Sequence, residues 1–222
     1  REGALRAETR QSLHHKVFDD MMILRSSPAS PFGRKVRISA ALLGLADRIT
    51  LVQADASKAD DPLRKDNPLG KLPVLVPEDG KPIYDSRVII EYLDHLAGGN
   101  KIFPAGARRF EVLTLQALAD GILDASILRV YEVRMREEAK REPSWVAYQA
   151  DKVARGLRRL EDDPPALSAG IPDAGRITLA CALSYQDLRF EGKWRETHPK
   201  LVAWLDAFAK AVPAFEETRF KG

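Results

Sequence analysis

The stretch of sequence that decides the fold reads Asn-Pro-Leu-Gly-Lys-Leu-Pro-Val-Leu, residues 67–75. A Pro-Leu-Gly turn leads into a short apolar strand, residues 74–76, and Pro73 stands at the very start of that strand, where a sheet tolerates proline. Glu-Asp-Gly-Lys at 78–81 then predicts a hairpin turn, and residues 82–84 predict the returning strand. The stretch therefore predicts two strands that lie side by side.

The hairpin runs directly into Asp85 and Ser86, and apolar residues with helical spacing continue through residues 88–93. Asp and Ser are both favoured at the start of a helix, so we predict that this pair caps one. The first N–H groups of a helix attract anionic groups. Beside a carboxylate and a hydroxyl, they form a good receptor for a small zwitterion.

The chain around this hairpin alternates between strands and helices. From residue 21 the order is β-α-β-α-β-β-α, which is the order of a thioredoxin-like domain. The remaining predicted segments are a strand at 22–25, a helix at 32–45, a strand at 49–52, a short helix at 61–65 and a helix that ends near residue 96.

Residues 98–104 have the composition of a linker, and helical patterns follow it to the end of the chain. Helices are predicted at 108–138, 145–160 and 177–189, and a fourth begins at His198-Pro199. We therefore predict an α/β plus all-α protein: a thioredoxin-like domain at residues 21–97 followed by an all-helical domain at residues 104–222. Thr178 fits the N-cap of the third of these helices.

Residues 1–20 show little apolar periodicity and balanced charge, so we expect a disordered leader or tag outside the fold. This segment contains the pair His14-His15. Adjacent imidazoles point in different directions on any regular element, and real sites need more ligands, so we expect no metal there.

The composition excludes several classes of function. The 222 residues are 45% hydrophobic and 30% charged, with a net charge of +3, which is typical of a globular protein. No apolar run is long enough to span a membrane, and no basic face with aromatic spacing argues for nucleic acid. The single cysteine, Cys181, allows no internal disulfide and is expected to pack as a small apolar side chain. We expect a soluble cytoplasmic protein with no membrane or nucleic-acid partner.

The first strand leads into the sequence Ser-Ser-Pro-Ala-Ser-Pro-Phe, residues 26–32. Ser30 precedes a proline, which is favoured at the first position of a helix, so Ser30 is predicted to be the N-cap. A cap alone stabilises a helix by about 1 kcal/mol. The same hydroxyl, with the free N–H groups beside it, is also suited to hold a thiolate, and Ser27 in the same loop is a rival for that role.

Taken together, the proline turn around Pro73, the Asp85-Ser86 pair and the Ser-Pro-Phe motif at Ser30 resemble the cytosolic glutathione transferase family, in its bacterial branch with Ser-Pro-Phe at the active site. The resemblance covers nearly the whole chain from residue 21 onward. It implies that glutathione is the cosubstrate, that the Leu72-Pro73 peptide bond is cis, and that the protein is a homodimer with its active sites in the cleft between the domains.

The resemblance also assigns roles to individual residues. Ser30 is the catalytic residue that stabilises the thiolate, and Asp85 with Ser86 binds the γ-glutamyl end of glutathione. The backbone of Val74 is expected to pair with the cysteinyl part, and Lys71 is expected to meet the glycyl carboxylate or, alternatively, to be a solvated turn lysine. The complete predicted glutathione-binding set is Phe32, Lys71, Leu72, Pro73, Val74, Asp85 and Ser86.

Two acidic residues on the long helix, Asp120 and Asp124, lie four residues apart, so their carboxylates share a face and repel each other. Three explanations remain open: a general acid/base pair, compensation by Arg129 or by a neighbouring chain, and, from the family, a carboxylate that reaches the glutathione bound to the partner subunit. Tyr131 and Arg134 lie further along this helix, where the electrophile is expected to dock.

We therefore predict an enzyme, a glutathione transferase that reacts the glutathione thiolate with a small electrophile, which is the chemistry of detoxification. Position 30 carries serine, not cysteine, and this disfavours reductase chemistry through a mixed disulfide. The alternatives are a non-catalytic binding protein with the same fold and a glutathione-dependent peroxidase.

Overall fold

The computed structural model describes residues 21–167 and 169–221. The predicted leader at residues 1–20, with its histidine pair, lies outside the described residues. Three strands form one sheet in the order β2-β1-β3: β1 Met22–Ser26, β2 Ile49–Gln53 and β3 Val74–Val76. β2 runs parallel to β1, and β3 runs antiparallel to it with Arg25 opposite Val74.

The returning strand of the hairpin is shorter than predicted. Instead of a strand over residues 82–84, Ile83 alone forms an antiparallel bridge with Leu75. Their backbone groups exchange hydrogen bonds of 2.7 and 3.0 Å. In an antiparallel ladder the next residues that could exchange hydrogen bonds are Pro77 and Lys81, and Pro77 has no N–H to donate, so the pairing does not extend from the bridge toward the turn.

Three helices accompany the sheet: α1 Pro31–Leu42, α2 Leu63–Asp66 and α3 Ser86–Leu96. Of these, α1 ends three residues earlier than predicted. Gly44 has φ of +72°, the left-handed conformation that glycine adopts at low cost and that terminates helices. A short 3-10 turn, Ala46–Arg48, then leads into β2.

The rest of the described chain is helical: α4 Arg108–Met135, α5 Pro143–Asp162, α6 Ala174–Phe190, α7 Pro199–Ala211 and α8 Pro213–Glu217, with 3-10 turns at Glu138–Lys140 and Lys193–Glu196. This confirms the predicted fold class, a thioredoxin-like domain followed by a helical domain. The exact boundaries, 21–97 and 104–222, stay a prediction. No helix among the described residues is both long and apolar enough to cross a membrane.

The start of α6 differs from the prediction. The N-cap is Asp173, whose carboxylate accepts a hydrogen bond of 3.0 Å from the N–H of Arg176. Thr178 lies inside the helix, and its hydroxyl donates to the carbonyl of Ala174 at 2.7 Å. The prediction that Thr178 caps the helix was wrong because a buried threonine can bond back to the preceding turn instead of capping.

Most residues of α6 are buried, and the hydrophobic core runs continuously from the sheet through α1 and α3 into the helical part. Cys181 belongs to this core, as predicted, with 1% of its surface exposed. Burial raises the pKa of the Cys181 thiol to about 11, so it stays protonated at neutral pH. The thioredoxin-like part and the helical part therefore share one hydrophobic core, to which α1 contributes.

Candidate functional site

Three loops that carry predicted site residues meet at one edge of the sheet. β1 ends there and β3 begins there, because the two strands are antiparallel and Arg25 pairs with Val74. Ile83 runs antiparallel to β3 and so returns the chain to the same edge. The topology therefore brings together the turn at residues 27–30, the Leu72-Pro73 dipeptide and the start of α3. The Leu72-Pro73 bond is cis, as predicted, and the Tyr84-Asp85 bond is cis as well.

Ser30 is the N-cap of α1, as predicted. Its backbone is extended, and its Oγ accepts a hydrogen bond of 3.1 Å from the N–H of Gly33. Because the oxygen acts as acceptor in this bond, the hydroxyl proton remains available as a donor. The N–H of Phe32 also lies in the first turn and donates to no acceptor among the described residues. The start of α1 therefore has two free hydrogen-bond donors, the Ser30 hydroxyl and the Phe32 N–H.

Ser27 occupies a different position in the same turn. Its carbonyl accepts hydrogen bonds from the Ser30 N–H at 3.0 Å and from the Ser26 hydroxyl at 3.3 Å. Its own hydroxyl makes no hydrogen bond to the described part of the chain. Ser27 also does not line the pocket described below, whereas Ser30 does. The geometry favours Ser30 of the two.

Gly33 allows α1 to approach the end of β1 closely. A Cβ atom at this position would lie 1.8 Å from the Oγ of Ser26 and 3.0 Å from its Cβ. Ser26 is 2% exposed. A side chain at position 33 would force the Ser26 side chain or the start of the helix to move, so this glycine allows Ser30 to lie close to the sheet.

Asp85 is the N-cap of α3, as predicted, and accepts a hydrogen bond of 2.9 Å from the N–H of Arg87. The Arg87 guanidinium also donates to the other carboxylate oxygen at 3.0 and 3.3 Å. Partial burial would raise the pKa of Asp85, but the hydrogen bonds from Arg87 outweigh it, and the pKa lies below its usual value. Asp85 is thus a carboxylate at neutral pH, and Ser86 beside it is buried.

The backbone of Val74 does not fulfil the predicted role. Leu75 uses its N–H and C=O to pair with Ile83, and successive residues of a strand alternate sides, so the backbone groups of Val74 face Arg25 in β1. By contrast, the N–H and C=O of Leu72 make no hydrogen bond within the described residues. The free backbone groups at this edge are therefore those of Leu72, and the adjacent Pro73 is buried. Lys71 is exposed at the same edge.

A buried ion pair compensates Asp120. The Nζ of Lys35 donates to Asp120 Oδ1 at 2.7 Å, and the Lys35 side chain is completely buried. The other oxygen, Oδ2, lies 3.9 Å from the Nε of Arg87. The interpretation that Arg129 compensates this face was wrong, because its guanidinium lies over the ring of Phe190, 4.0 Å from the centroid.

Asp124 lies one turn further along α4 and is exposed. Desolvation and the charge of Asp120 both raise its pKa, while Arg87 and Lys71 act in the opposite direction. These neighbours place Asp124 next to the edge that carries Lys71 and Asp85. Its role toward a partner subunit remains a prediction.

A pocket of about 220 Å³ opens beside Ser30. It is lined by the turn and the start of α1, by one face of α6 and by the last residues described: Pro28, Ala29, Ser30, Pro31, Arg34, Cys181, Ser184, Tyr185, Asp187, Leu188, Arg219 and Phe220. None of these residues belongs to α4, so the pocket differs from the predicted docking region near Tyr131 and Arg134.

Sequence reasoning missed Arg34, Lys35 and Arg87. Arg34 and Lys35 follow the Ser-Pro-Phe motif and occupy buried positions of α1, where basic residues normally appear only with partners. Two basic residues on the apolar face of a predicted helix were therefore the sequence signal that buried partners exist. The partners come from α4, α6 and α8, which lie far away in the sequence.

Comparisons with known proteins agree with this geometry. Residues 24–101 match the family model described as the N-terminal domain of glutathione S-transferase. The chain is 31% identical over 202 residues to the uncharacterized GST-like protein YibF of Escherichia coli K12, covering 86% of this chain and 98% of that protein. The chain belongs to the glutathione S-transferase family.

Solved structures of bacterial relatives are also similar. A glutathione transferase family member from Pseudomonas fluorescens Pf-5, crystallised with bound glutathione, is 40% identical with a TM-score of 0.81, covering 89% of this chain and 98% of that one. The same protein was also crystallised with S-(propanoic acid)-glutathione. A glutathione S-transferase from Methylobacillus flagellatus KT with glutathione bound is 34% identical, with the same TM-score and coverage.

Proposed function

We propose that this protein is a glutathione transferase that binds glutathione at the sheet edge and reacts its thiolate with a small electrophile. The observation that carries the proposal is Ser30, a helix cap with its hydroxyl proton free, beside an unpaired N–H and at the mouth of a pocket. Glutathione bound in two relatives of 34 and 40% identity supports the ligand.

Glutathione fits the edge by its chemistry. Its γ-glutamyl end, a zwitterion, is placed at Asp85 and Ser86 at the start of α3. The free N–H and C=O of Leu72 would pair with the cysteinyl backbone in the manner of an added strand. Lys71 is placed near the glycyl carboxylate. The thiol then points to Ser30.

The groups around Ser30 can stabilise the thiolate enough to lower the pKa of the glutathione thiol below neutral pH. A free thiol has a pKa of about 8.5, and lowering it by two units requires about 2.7 kcal/mol of selective stabilisation. A hydrogen bond to a charged group contributes about 1.5–3 kcal/mol. A helix start adds about 0.3–1 kcal/mol. The Ser30 hydroxyl and the Phe32 N–H together reach the required range.

The second substrate is placed in the pocket beside Ser30, on the side away from Asp85. A volume of about 220 Å³ lies below the range of about 300–1,000 Å³ that is typical for drug-sized ligands, so we expect a small electrophile. As the family resemblance implies, we also propose that the protein is a cytoplasmic homodimer. Gel filtration coupled to light scattering would test the oligomeric state.

The test of the proposal compares Ser30→Ala with Ser27→Ala. Ser30→Ala should lower kcat/KM at neutral pH about tenfold to a thousandfold, as expected for the loss of one oriented donor. It should also raise the pKa of the bound thiol, seen in the ultraviolet absorbance of the thiolate across a pH series. Thermal melts are needed because the variant also loses a cap of about 1 kcal/mol.

Ser27→Ala is the matched control and should leave the thiol pKa unchanged. Full activity in Ser30→Ala with a collapse in Ser27→Ala would transfer the role to Ser27. Tight glutathione binding without turnover of any electrophile would instead identify a binding protein.

A further inference from the structure

Arg34 is a buried cation on the wall of the pocket beside Ser30. Its residue exposure is 8%, and desolvation by this burial lowers its pKa. Its hydrogen bonds to the described part of the chain go to two hydroxyls and a carbonyl, and none goes to a carboxylate. A buried arginine without a counter-ion is unusual, because buried charges are normally paired.

The groups that hold Arg34 are all neutral. Its Nε donates to the hydroxyl of Thr218 at 3.3 Å, one Nη donates to the hydroxyl of Ser184 at 2.5 Å, and the other Nη donates to the carbonyl of Phe215 at 2.5 Å. The guanidinium also lies over the Phe215 ring, 4.2 Å from the centroid. A guanidinium has five N–H donors, so two remain after these three bonds.

The other charges of the pocket are already neutralised. Both oxygens of Asp187 accept bonds of 2.7 and 2.8 Å from Arg195, and one of them also accepts the Trp194 indole N–H at 2.8 Å. Arg219 pairs with Glu216 at 2.7 Å. Arg34 therefore has no directly bound counter-ion in the described pocket: the nearby Glu216 carboxylate raises the pKa of Arg34 but is already paired with Arg219.

We propose that Arg34 receives the carboxylate of the second substrate, so that the electrophile is a small carboxylic acid whose electrophilic carbon lies next to the carboxylate. This inference rests on the proposed function. Arg34 is four residues after Ser30, so an acid held at Arg34 presents its carbon toward the thiolate at the helix start. Guanidinium and carboxylate match in geometry, which favours an acid over a neutral amide of equal size.

The reaction with a 2-halo acid illustrates the step. The thiolate sulfur forms a bond to the carbon that carries the halogen, and the carbon–halogen bond breaks. The halide leaves with the bonding electron pair. The thiol proton has passed to solvent beforehand, and the product is a thioether of glutathione that keeps the carboxylate.

The experiment uses chloroacetate and chloroacetamide, which have nearly the same shape and differ in charge. For each compound, the enzymatic kcat/KM is divided by the rate constant of its uncatalysed reaction with glutathione in solution. The readout is the ratio of the two corrected values, chloroacetate over chloroacetamide. In the native protein this corrected ratio should favour chloroacetate at least about tenfold, as one charged hydrogen bond predicts. Arg34→Gln should lower the ratio about tenfold to a hundredfold, and Arg34→Lys, which keeps the charge but loses the planar guanidinium, should lower it less than Arg34→Gln does.

A binding measurement keeps the test independent of turnover and of variant folding. Calorimetry on the native protein compares S-carboxymethylglutathione with S-carbamoylmethylglutathione, and the acid should bind at least about tenfold more tightly. Equal affinity, or an equal rate ratio, overturns the inference while leaving the transferase intact. No turnover of either compound or of a generic aromatic electrophile counts against the proposed function, and the binding comparison then decides the role of Arg34.

Discussion

Replacing either partner of the buried Lys35–Asp120 ion pair should lower the free energy of unfolding by several kcal/mol. The Lys35 side chain has no exposed surface, and that of Asp120 is 4% exposed. Removing one partner of such a pair leaves a buried charge without compensation, which costs about 3–5 kcal/mol. Since the pair joins α1 to α4, its loss should also weaken the contact between the two parts of the chain.

The structure predicts which variant is worse. After Lys35→Met, Asp120 keeps Arg87 at 3.9 Å as a weak partner, so we expect a loss near the lower end, about 3 kcal/mol. After Asp120→Leu, Lys35 keeps no acceptor among the described residues, so we expect a loss near about 5 kcal/mol. In the double variant neither charge is buried, and stability should recover by at least about 3 kcal/mol relative to Asp120→Leu.

The assay is urea unfolding, followed by tryptophan fluorescence and far-ultraviolet circular dichroism at one fixed protein concentration. The exposed pair of Asp151 and Arg155 on α5 is a matched control, and its removal should cost only about 0.2–1 kcal/mol. If the free energy of unfolding fell by less than about 1 kcal/mol in each single variant of the buried pair, the pair would contribute no more than a surface ion pair and our reasoning would be wrong. A double variant as unstable as the sum of the singles would refute the coupling.

Two further predictions concern the sheet edge. Asp85→Ala combined with Ser86→Ala should weaken glutathione binding by several kcal/mol, because each charged hydrogen bond contributes about 1.5–3 kcal/mol; unchanged affinity in calorimetry would show that glutathione binds elsewhere. Gly33→Ala should destabilise the protein by about 1–3 kcal/mol through the clash with Ser26, and adding Ser26→Gly should recover part of that loss in thermal unfolding. An unaltered melting temperature in Gly33→Ala alone would contradict the close approach of α1 to β1.

Several features of this protein follow from the sequence because their signals are local. Ser30 and Asp85 cap their helices as predicted, since a capping residue bonds to an N–H only two or three positions away. The order of strands and helices follows from hydrophobic periodicity, and the resemblance to a known family correctly implied the cis Leu72-Pro73 bond. The family and fold class were therefore accessible before any coordinates.

The tertiary structure alone decided which groups meet. Periodicity shows which face of α1 is buried, but it does not show that Lys35 pairs with Asp120, 85 positions away, or that Arg34 reaches Ser184, 150 positions away. Likewise, the sequence analysis assigned the backbone anchor to Val74, and only the pairing of Val74 with β1 shows that the free backbone groups are those of Leu72. Hydrogen bonds and ion pairs depend on distances of a few ångström between distant segments, and the packing of the helices against the sheet sets those distances.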